Sequence, residues 1–169
     1  TIAAEAAKRL QGFGVNLLGV NTDGRDVEYF DECYAMSELD RMLKLCDVVV
    51  CTVPYTKATY HLINENRFIK MKNGAFFINV ARGSIVDEAS LIENLKNGKL
   101  AGAAIDVYEE EPLKANNPLW DLNNVILTSH NSWISEMRNQ RRFNLIYKNM
   151  KKYIQGEELV NVVDLKKGY

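Results

Sequence analysis

The sequence predicts an α/β protein built on a doubly wound parallel sheet. Short apolar runs alternate with helical patterns along the chain, which is the order expected of a parallel sheet flanked by helices. Runs such as Ala75 to Val80 are almost continuously apolar, as in strands covered on both faces. The chain has 169 residues, 47% hydrophobic and 25% charged, and a chain of that kind can bury a core.

The first half of the chain is predicted to alternate helices and strands. Residues 2–13 are alanine-rich, which favours a helix, and Val15 to Val20 is an apolar run typical of a buried strand. The stretch that follows is polar and predicts a loop. The next predicted elements are a short helix at 37–45, a strand at 48–52 and a helix after Glu65.

The second half contains clearer boundary signals. Asp87 is a natural N-cap and Gly98 a natural C-terminal cap, so a helix is predicted from Asp87 to Asn97. The other predicted elements are strands at 75–80, 101–107 and 125–128 and a long helix at about 135–153.

Three successive predicted strands are followed by residues that can do chemistry. The strand that begins at Ala75 precedes Arg82, the next precedes Glu109-Glu110-Glu111, and the last precedes His130. Parallel strands share one C-terminal edge, where open α/β sheets bind ligands, so we expect these groups to meet. An arginine can clamp a carboxylate, a histidine can transfer a proton, and a glutamate can orient the histidine and raise its pKa. Position alone leaves Arg82 a second interpretation, as a capping or salt-bridging residue.

Taken together, these segments resemble a known family. The chain is similar to the nucleotide-binding part of the D-isomer-specific 2-hydroxyacid dehydrogenases, which include D-lactate, D-glycerate and D-3-phosphoglycerate dehydrogenases and hydroxypyruvate reductases. The resemblance implies a Rossmann-type fold and an NAD(P)-dependent oxidoreductase that transfers a hydride between the cofactor and a D-2-hydroxy acid or 2-keto acid. The matching segments, in the family's order, are Asp47 to Pro54 with Thr59 and Leu62-Ile63, Asn79 to Glu88, Gly102 to Pro112, and Thr128-Ser129-His130.

The resemblance implies three catalytic residues: Arg82 as the substrate-carboxylate arginine, Glu111 as the dyad glutamate and His130 as the acid/base. Glu111 is preferred to its two neighbours because the family's glutamate directly precedes the proline, here Pro112. The family's usual Thr-Pro-His is Thr-Ser-His in this chain, and Trp133 follows shortly after. Two interpretations of Trp133 stay open, a ring that narrows the substrate site and a helix-start aromatic packed on the core.

The resemblance also implies a set of cofactor contacts. Asp106 is expected to meet the nicotinamide carboxamide, although a strand-end residue can instead cap a turn. Backbone amides of Thr1 and Ile2 are expected at the pyrophosphate, since helix N-termini bind phosphate groups. The full set expected to contact NAD or NADP is Thr1, Ile2, Asn21, Val53, Pro54, Thr59, Val80, Ala81, Arg82, Asp106 and His130.

Residues 21–25 bear on the choice of cofactor. Folds that bind NAD normally place an acid at this strand end to hold the adenosine ribose. Here the position is Asn21, with Arg25 four residues on. A neutral residue beside a cation can admit a 2′-phosphate, which favours NADP. The alternative is an ordinary Asp-Gly turn with a solvated arginine.

The family pattern also predicts how the chain is organised. Thr1-Ile2-Ala3 matches the last three positions of Gly-x-Gly-x-x-Gly/Ala, so the Rossmann-type sheet is expected to be N-terminally truncated, without its first strand and leading glycines. Residues 1–132 are assigned to the nucleotide-binding domain. Residues 133–169 are assigned to a C-terminal helix and a tail that return towards a substrate domain. The fragment by itself is expected to be inactive.

Composition argues against several other functions. A net charge of −1 gives no electrostatic basis for binding nucleic acid or membranes, and no apolar run has the length of a membrane span. With two histidines and no Cys-x-x-Cys spacing, no metal site is expected. Cys33, Cys46 and Cys51 are expected to be reduced thiols.

The expected assembly is a cytoplasmic homodimer with a small 2-keto or 2-hydroxy acid as substrate, without a nucleic-acid or membrane partner. An alternative comes from another functional class. The C-terminal-binding-protein corepressors share the fold and the Arg, Glu and His, so a nucleotide-sensing binding module also fits the resemblance.

Overall fold

A computed structural model of the chain describes residues 1–166. The chain divides into two compact units, Thr1–Ser129 and His130–Tyr169. Residues 167–169, the end of the predicted C-terminal tail, lie outside the described residues. The assignment of 1–132 and 133–169 to a nucleotide-binding domain and a returning segment stays a prediction.

The first unit alternates strands with helices, and its paired strands are all parallel. The predicted α/β fold with a parallel sheet is therefore confirmed. Its helices are α1 Ile2–Leu10, α2 Leu39–Leu43, α3 Glu65–Lys70 and α4 Glu88–Lys96, and its strands are β1 Leu18–Asn21, β2 Glu32–Ala35, β3 Val48–Cys51, β4 Ala75–Asn79, β5 Leu100–Ile105 and β6 Val125–Leu127.

The strands form two sheets. β1 pairs with β2, and the other four lie in the order β3-β4-β5-β6. β2 was not predicted, because Glu32-Cys33-Tyr34-Ala35 is short and has one well-buried apolar side chain, Tyr34, at 2% exposure. Its register places Tyr34 opposite Val20.

The prediction of a buried strand from Val15 was wrong in its start and its burial. The strand begins at Leu18, all its residues are half-buried, and Val15 is exposed. Among the described residues β1 has β2 as its strand neighbour on one edge only, so it does not reach the burial of a central strand.

The core lies on one face of the four-stranded sheet, beneath α3 and α4. Phe77 and Phe68 are fully buried there and pack edge to face, with ring centroids 5.5 Å apart. On the opposite face Phe76 is 50% exposed and Ile126 68%. The expectation that β4 is covered on both faces is therefore not met within the described residues, and alternate residues of the strand have different surroundings.

Helix α4 has the predicted boundaries. The Asp87 carboxylate accepts the backbone N–H of Ser90 at 3.3 Å and its hydroxyl at 2.8 Å, which is N-cap geometry. Gly98, with φ +78°, follows the last turn, and the left-handed region is where glycine terminates helices.

The second unit consists mainly of α5, Arg138–Gln155, followed by an extended tail. Gly156 ends the helix with φ +68°, and the N–H of Glu157 donates to Lys152 O at 2.9 Å. The Asn149 side chain holds the tail by a reciprocal pair of hydrogen bonds with the backbone of Val160, each 3.0 Å. In the described part of the chain, no helix is both long and apolar enough to span a membrane.

Helices α2 and α3 are joined by a charge cluster around Asp40. The Asp40 carboxylate accepts a hydrogen bond from Lys70 Nζ and another from Arg67 Nε at 3.1 Å. The Lys70 ammonium and then Arg67 hold the pKa of Asp40 below its usual value. An acid whose pKa is lower in the folded than in the unfolded state adds stability above the unfolded value, and the gain disappears as the pH falls through the folded one.

We expect Asp40→Asn to lower the free energy of unfolding at pH 7 by less than about 1 kcal/mol, because the pair is partly exposed and screened. The difference from wild type should shrink as the pH falls below about 4 and the wild-type carboxylate protonates. Urea denaturation between pH 3 and pH 7 measures this difference. Asp47→Asn, at an exposed pair with Lys72, is the control, and a penalty for Asp40→Asn as large at pH 3 as at pH 7 would contradict the assignment.

Candidate active site

The C-terminal ends of β4, β5 and β6 lie side by side. The N–H of Asp106 donates to Asn79 O at 3.1 Å, and the N–H of Thr128 donates to Ile105 O at 3.0 Å. The parallel ladder therefore continues to the last residue of each strand. The residues that leave this edge begin from fixed backbone positions.

The Asn79 side chain forms two hydrogen bonds with the turn that carries Arg82. Its side chain is 1% exposed. The side-chain oxygen accepts the N–H of Ala81 at 3.1 Å, and the amide nitrogen donates to Arg82 O at 3.2 Å. A buried amide whose donor and acceptor are both used fixes the backbone around it. Asn79 therefore fixes the backbone at Val80 and Ala81, the predicted cofactor contacts, and the backbone position from which the Arg82 side chain starts.

The Arg82 side chain is exposed and directs a hydrogen bond from Nη1 to Ala81 O at 2.6 Å. No ion pair with a carboxylate is found for Arg82 among the described residues. The salt-bridging interpretation of Arg82 therefore has no support in this part of the chain. A guanidinium has five N–H donors in a planar fork, so Arg82 retains the capacity to bind a carboxylate.

Gly83 brings the Arg82 turn against the loop after β5. A Cβ at Gly83 would lie 1.8 Å from Tyr108 O and 2.4 Å from Glu109 N. Real side chains do not come so close, so this approach of two backbones requires glycine. The contact places the loop of Arg82 directly beside the loop of Glu111.

The three consecutive glutamates have different partners. Glu109 Oε1 contacts the imidazole of His61, Glu110 pairs with Lys114 at 2.6 Å, and Glu111 Oε1 accepts the N–H of Tyr108 at 3.1 Å. Glu111 thus folds back on its own loop, beside the Gly83 contact. The bond between Glu111 and Pro112 is cis.

Asp106 is a buried carboxylate at the end of β5. It is 3% exposed, and its Oδ1 accepts the hydroxyl of Thr128 at 2.6 Å. The Tyr108 hydroxyl donates to Thr128 O at 2.7 Å. Burial raises the pKa of Tyr108, and the Asp106 carboxylate adds to the increase, so this hydroxyl stays a donor. The hydrogen bond to Thr128 connects Asp106 to the end of the neighbouring strand, and its contact with the nicotinamide stays a prediction.

His130 is the first residue of the second unit. Its backbone is left-handed, with φ +50°, and its carbonyl accepts the indole N–H of Trp133 at 2.6 Å. The Arg138 guanidinium lies 4.1 Å from the centre of the Trp133 ring, which is 52% exposed. The interpretation of Trp133 as an aromatic packed on the core was wrong. The meeting of His130 with Arg82 and Glu111 stays a prediction.

The loop after β3 carries three predicted cofactor residues. The Thr59 hydroxyl donates to Pro54 O at 2.8 Å and accepts the N–H of Thr56 at 2.7 Å. Thr59 therefore holds the shape of the loop, and Val53 beside Pro54 is half-buried at the strand end.

At the other sheet, Thr1 caps α1 by accepting the N–H of Ala4 at 3.2 Å, and Ile2 is 64% exposed in the first turn.

Asn21 builds a tight turn at the end of β1. Its side-chain oxygen accepts the N–H of Gly24 at 2.7 Å, and its amide donates to Arg25 O at 2.7 Å. Arg25 Nη1 in turn lies 2.7 Å from Asp23 Oδ1, and both side chains are more than half exposed. The turn is the Asp-Gly turn of the alternative interpretation, with Arg25 held near the strand end by an exposed ion pair.

The described residues contain no group of three metal-ligating side chains. The three cysteines are free thiols, as predicted. Burial raises the pKa of Cys51, at the end of β3, to about 11, so this thiol is not a thiolate nucleophile at neutral pH.

Sequence reasoning missed the residues that hold this edge together. Asn79 was assigned to the family pattern but given no role, although a polar residue that ends a continuous apolar strand is a signal that could have found it. Nothing in the sequence indicates that Tyr108 and Thr128 join two strand ends. The sequence also gives no role to His61, which contacts Glu109 in the structure.

Comparison with known proteins finds related chains over almost the whole sequence. A family model described as D-isomer specific 2-hydroxyacid dehydrogenase, NAD binding domain, matches residues 1–132. The chain is 43% identical to a glyoxylate reductase of Thermofilum pendens over 157 residues, which are 92% of this chain and 46% of that protein. It is 34% identical to a D-3-phosphoglycerate dehydrogenase of Methanocaldococcus jannaschii over 171 residues, 97% of this chain and 31% of that protein.

Solved structures give the same result. A D-isomer specific 2-hydroxyacid dehydrogenase from Xanthobacter autotrophicus, in complex with NADPH and MES, superposes with a TM-score of 0.91 at 36% identity, covering 98% of this chain and 68% of that one. An NADPH-dependent glyoxylate/hydroxypyruvate reductase from Sinorhizobium meliloti, in complex with NADP and sulfate, has a TM-score of 0.90 at 32% identity, covering 98% and 53%. The chain spans about half the length of the Thermofilum pendens and Sinorhizobium meliloti reductases.

The Gly83 contact predicts a strong effect of adding one methyl group. Gly83→Ala should lower the free energy of unfolding by about 1–3 kcal/mol, the usual cost of overpacking, because two backbone segments must move apart. Gly12→Ala is the matched control, since its Cβ would meet nothing within 4 Å. Guanidinium denaturation compares the two, and equal stability of both variants would contradict the contact.

Proposed function

This chain belongs to the D-isomer-specific 2-hydroxyacid dehydrogenase family, and from that premise we propose that the whole protein is an NAD(P)-dependent oxidoreductase. Its reaction would interconvert a 2-keto acid and a D-2-hydroxy acid. The observation that carries the proposal is the Gly83 contact, which sets the loop of Arg82 directly against the loop of Glu111. These are two of the three groups that the reaction needs.

Arg82 is the proposed binding group for the substrate carboxylate. Its turn is fixed by Asn79, so the guanidinium would begin from a defined position. A bidentate contact with a carboxylate sets the orientation of the adjacent carbonyl carbon as well as its distance. Arg82 would therefore determine which face of the carbonyl is presented for reaction.

His130 and Glu111 are the proposed proton-transfer pair. In the reducing direction the imidazolium of His130 would donate a proton to the carbonyl oxygen, and in the oxidising direction the neutral imidazole would take it from the hydroxyl. Glu111 would accept a hydrogen bond from the imidazole and stabilise its charged form. Glu111 itself is fixed through the N–H of Tyr108.

The strand ends fit a nicotinamide dinucleotide. Asp106 is a buried acceptor of the kind that a carboxamide N–H requires, and the backbone at Val80 and Ala81 is held rigid beside it. When bound, the cofactor would supply or accept the hydride. The proposed contacts of its other parts are those of Thr1, Ile2, Asn21, Val53, Pro54 and Thr59.

A small 2-keto acid is the proposed substrate. Relatives named above are a glyoxylate reductase and a glyoxylate/hydroxypyruvate reductase, so glyoxylate and hydroxypyruvate are the first compounds to assay. The exposed Trp133 ring, fixed to His130 O, is proposed to limit substrate size.

We also propose a cytoplasmic homodimer that binds neither nucleic acid nor membranes. The comparisons give no support to the corepressor alternative.

We expect His130→Ala in the full-length protein to lower kcat by about 10²–10⁴-fold, the usual contribution of a general acid/base. Arg82→Ala should mainly raise KM for the keto acid and also lower kcat, since the arginine both binds and orients. Glu111→Gln should also lower kcat, because the imidazolium would lose the carboxylate that stabilises its charge. Steady-state kinetics with glyoxylate and hydroxypyruvate measure all three.

Circular dichroism is the control for folding of these variants. The proposed mechanism requires a large loss at His130, so near-normal turnover by folded His130→Ala would refute it.

NADPH should be accepted at least as well as NADH. The Arg25 pair with Asp23 is exposed, and surface pairs of this kind are weak because water and salt screen them. A charge-assisted contact with a 2′-phosphate is worth about 1.5–3 kcal/mol. Arg25 should therefore bind the 2′-phosphate in preference to Asp23. Asn21→Asp should shift the ratio of kcat/KM towards NADH by adding a negative charge.

Asp23→Asn is the matched variant, because it releases Arg25 and should strengthen the preference for NADPH. The ratio of kcat/KM for the two cofactors is the measurement. A strong wild-type preference for NADH would contradict the proposal.

A further inference from the structure

His61 connects three loops at the candidate active site. Its backbone N–H donates to Ser84 O at 2.9 Å, directly after the Arg82-Gly83 turn. Its imidazole Nε2 contacts Glu109 Oε1 in the loop after β5. The Tyr60 ring stacks on the imidazole, with ring centroids 4.0 Å apart and planes 13° from parallel. One residue thus joins its own loop, between β3 and α3, to the loops of Arg82 and Glu111.

The backbone of His61 is held in an uncommon conformation. Its φ of +46° is in the left-handed region, which is costly for a residue with a Cβ and persists where the surroundings determine it. Ile63, two residues on, forms a parallel bridge with Val86. The N–H of Ile63 donates to Ile85 O at 3.0 Å, and Ile63 O accepts the N–H of Asp87 at 2.9 Å. His61 is therefore anchored by backbone bonds next to the Arg82 turn.

The contact of His61 with Glu109 lies partly out of solvent. The two side chains are 31% and 37% exposed. The neighbouring pair of Glu110 with Lys114 is 64% and 62% exposed, as in an ordinary surface ion pair. Glu109 lies two residues before Glu111, and its N–H is 2.4 Å from the position of a Gly83 Cβ. Of the two side-chain pairs, the one between His61 and Glu109 is therefore closer to the Gly83 contact.

We propose that His61 and Glu109 are a positioning pair, which sets where the Glu111 carboxylate lies relative to Arg82. The inference rests on the proposed function, because Glu111 matters only if that reaction occurs. His61 does not act on the substrate in this account. It acts through the loop, by holding Glu109 while Tyr108 holds Glu111.

The kinetic test uses the full-length protein with NADPH and glyoxylate. His61→Ala should lower kcat about tenfold, the effect of losing a hydrogen bond to a charged group, with little change in KM because Arg82 keeps its turn. Glu109→Gln removes the charge and should lower kcat in the same direction. His61→Gln retains a side-chain N–H and should recover part of the loss. Lys114→Ala is the matched control and should leave kcat unchanged.

A second comparison separates positioning from general stability. If His61 acts through Glu111, the losses from His61→Ala and Glu111→Gln should not multiply in the double variant, since residues that act as a unit are not additive. Losses that multiply fully would overturn the proposal. A reduced melting temperature with normal kcat would overturn it as well.

Hydrogen exchange gives a readout that does not depend on activity. Amides of residues 106–113 should exchange faster in His61→Ala and Glu109→Gln than in wild type, and Lys114→Ala should not change them. Unchanged exchange in both pair variants would overturn the proposal. If wild type reduces no 2-keto acid, the proposed function and with it the positioning role are wrong, and the exchange data then decide only whether His61 holds the loop.

Discussion

The parallel pairing of β4, β5 and β6 determines where the polar groups of the first unit lie. The backbone hydrogen bonds of the sheet continue to Asn79, Asp106 and Thr128. The segments that follow β4, β5 and β6 therefore leave the sheet from adjacent, fixed positions. Loops that start from adjacent points can then contact one another without long excursions. The Gly83 contact is possible only because the strand ends are already in register, since a shift by one residue would put a side chain where the glycine is.

Buried polar side chains stabilise this edge at positions where a hydrophobic residue could not. Asn79 satisfies its own donor and acceptor within one turn, and the Thr128 hydroxyl donates to the buried Asp106 carboxylate. Leaving either group unpaired would cost its full desolvation. The edge is therefore specified by hydrogen bonds, whereas the layer below it, around Phe68 and Phe77, is specified by packing.

The sequence was sufficient for the order of the helices and strands apart from β2, and insufficient for the contacts between loops. Asp87 and Gly98 signal the ends of α4 through local chemistry that acts over a few residues, so both were predictable. β2 has weak local signals, and its pairing with β1 is a tertiary interaction. The contact of His61 with Glu109 joins residues 48 positions apart, and no spacing rule reaches that far. The family resemblance identified Glu111 from the proline that follows it. It did not indicate that the other two glutamates contact His61 and Lys114.

The run of three glutamates with three partners has a consequence for comparing natural variants of this chain. A deletion of one glutamate codon would leave an acid in front of the proline, and an alignment would accept the motif as intact. The shortened loop would nevertheless have lost one of three assigned contacts, because the remaining acids cannot reach His61, Lys114 and the N–H of Tyr108 together. Loop length between Tyr108 and Pro112 therefore carries information that residue identity alone does not, and homologues should be grouped by that length before their glutamates are equated.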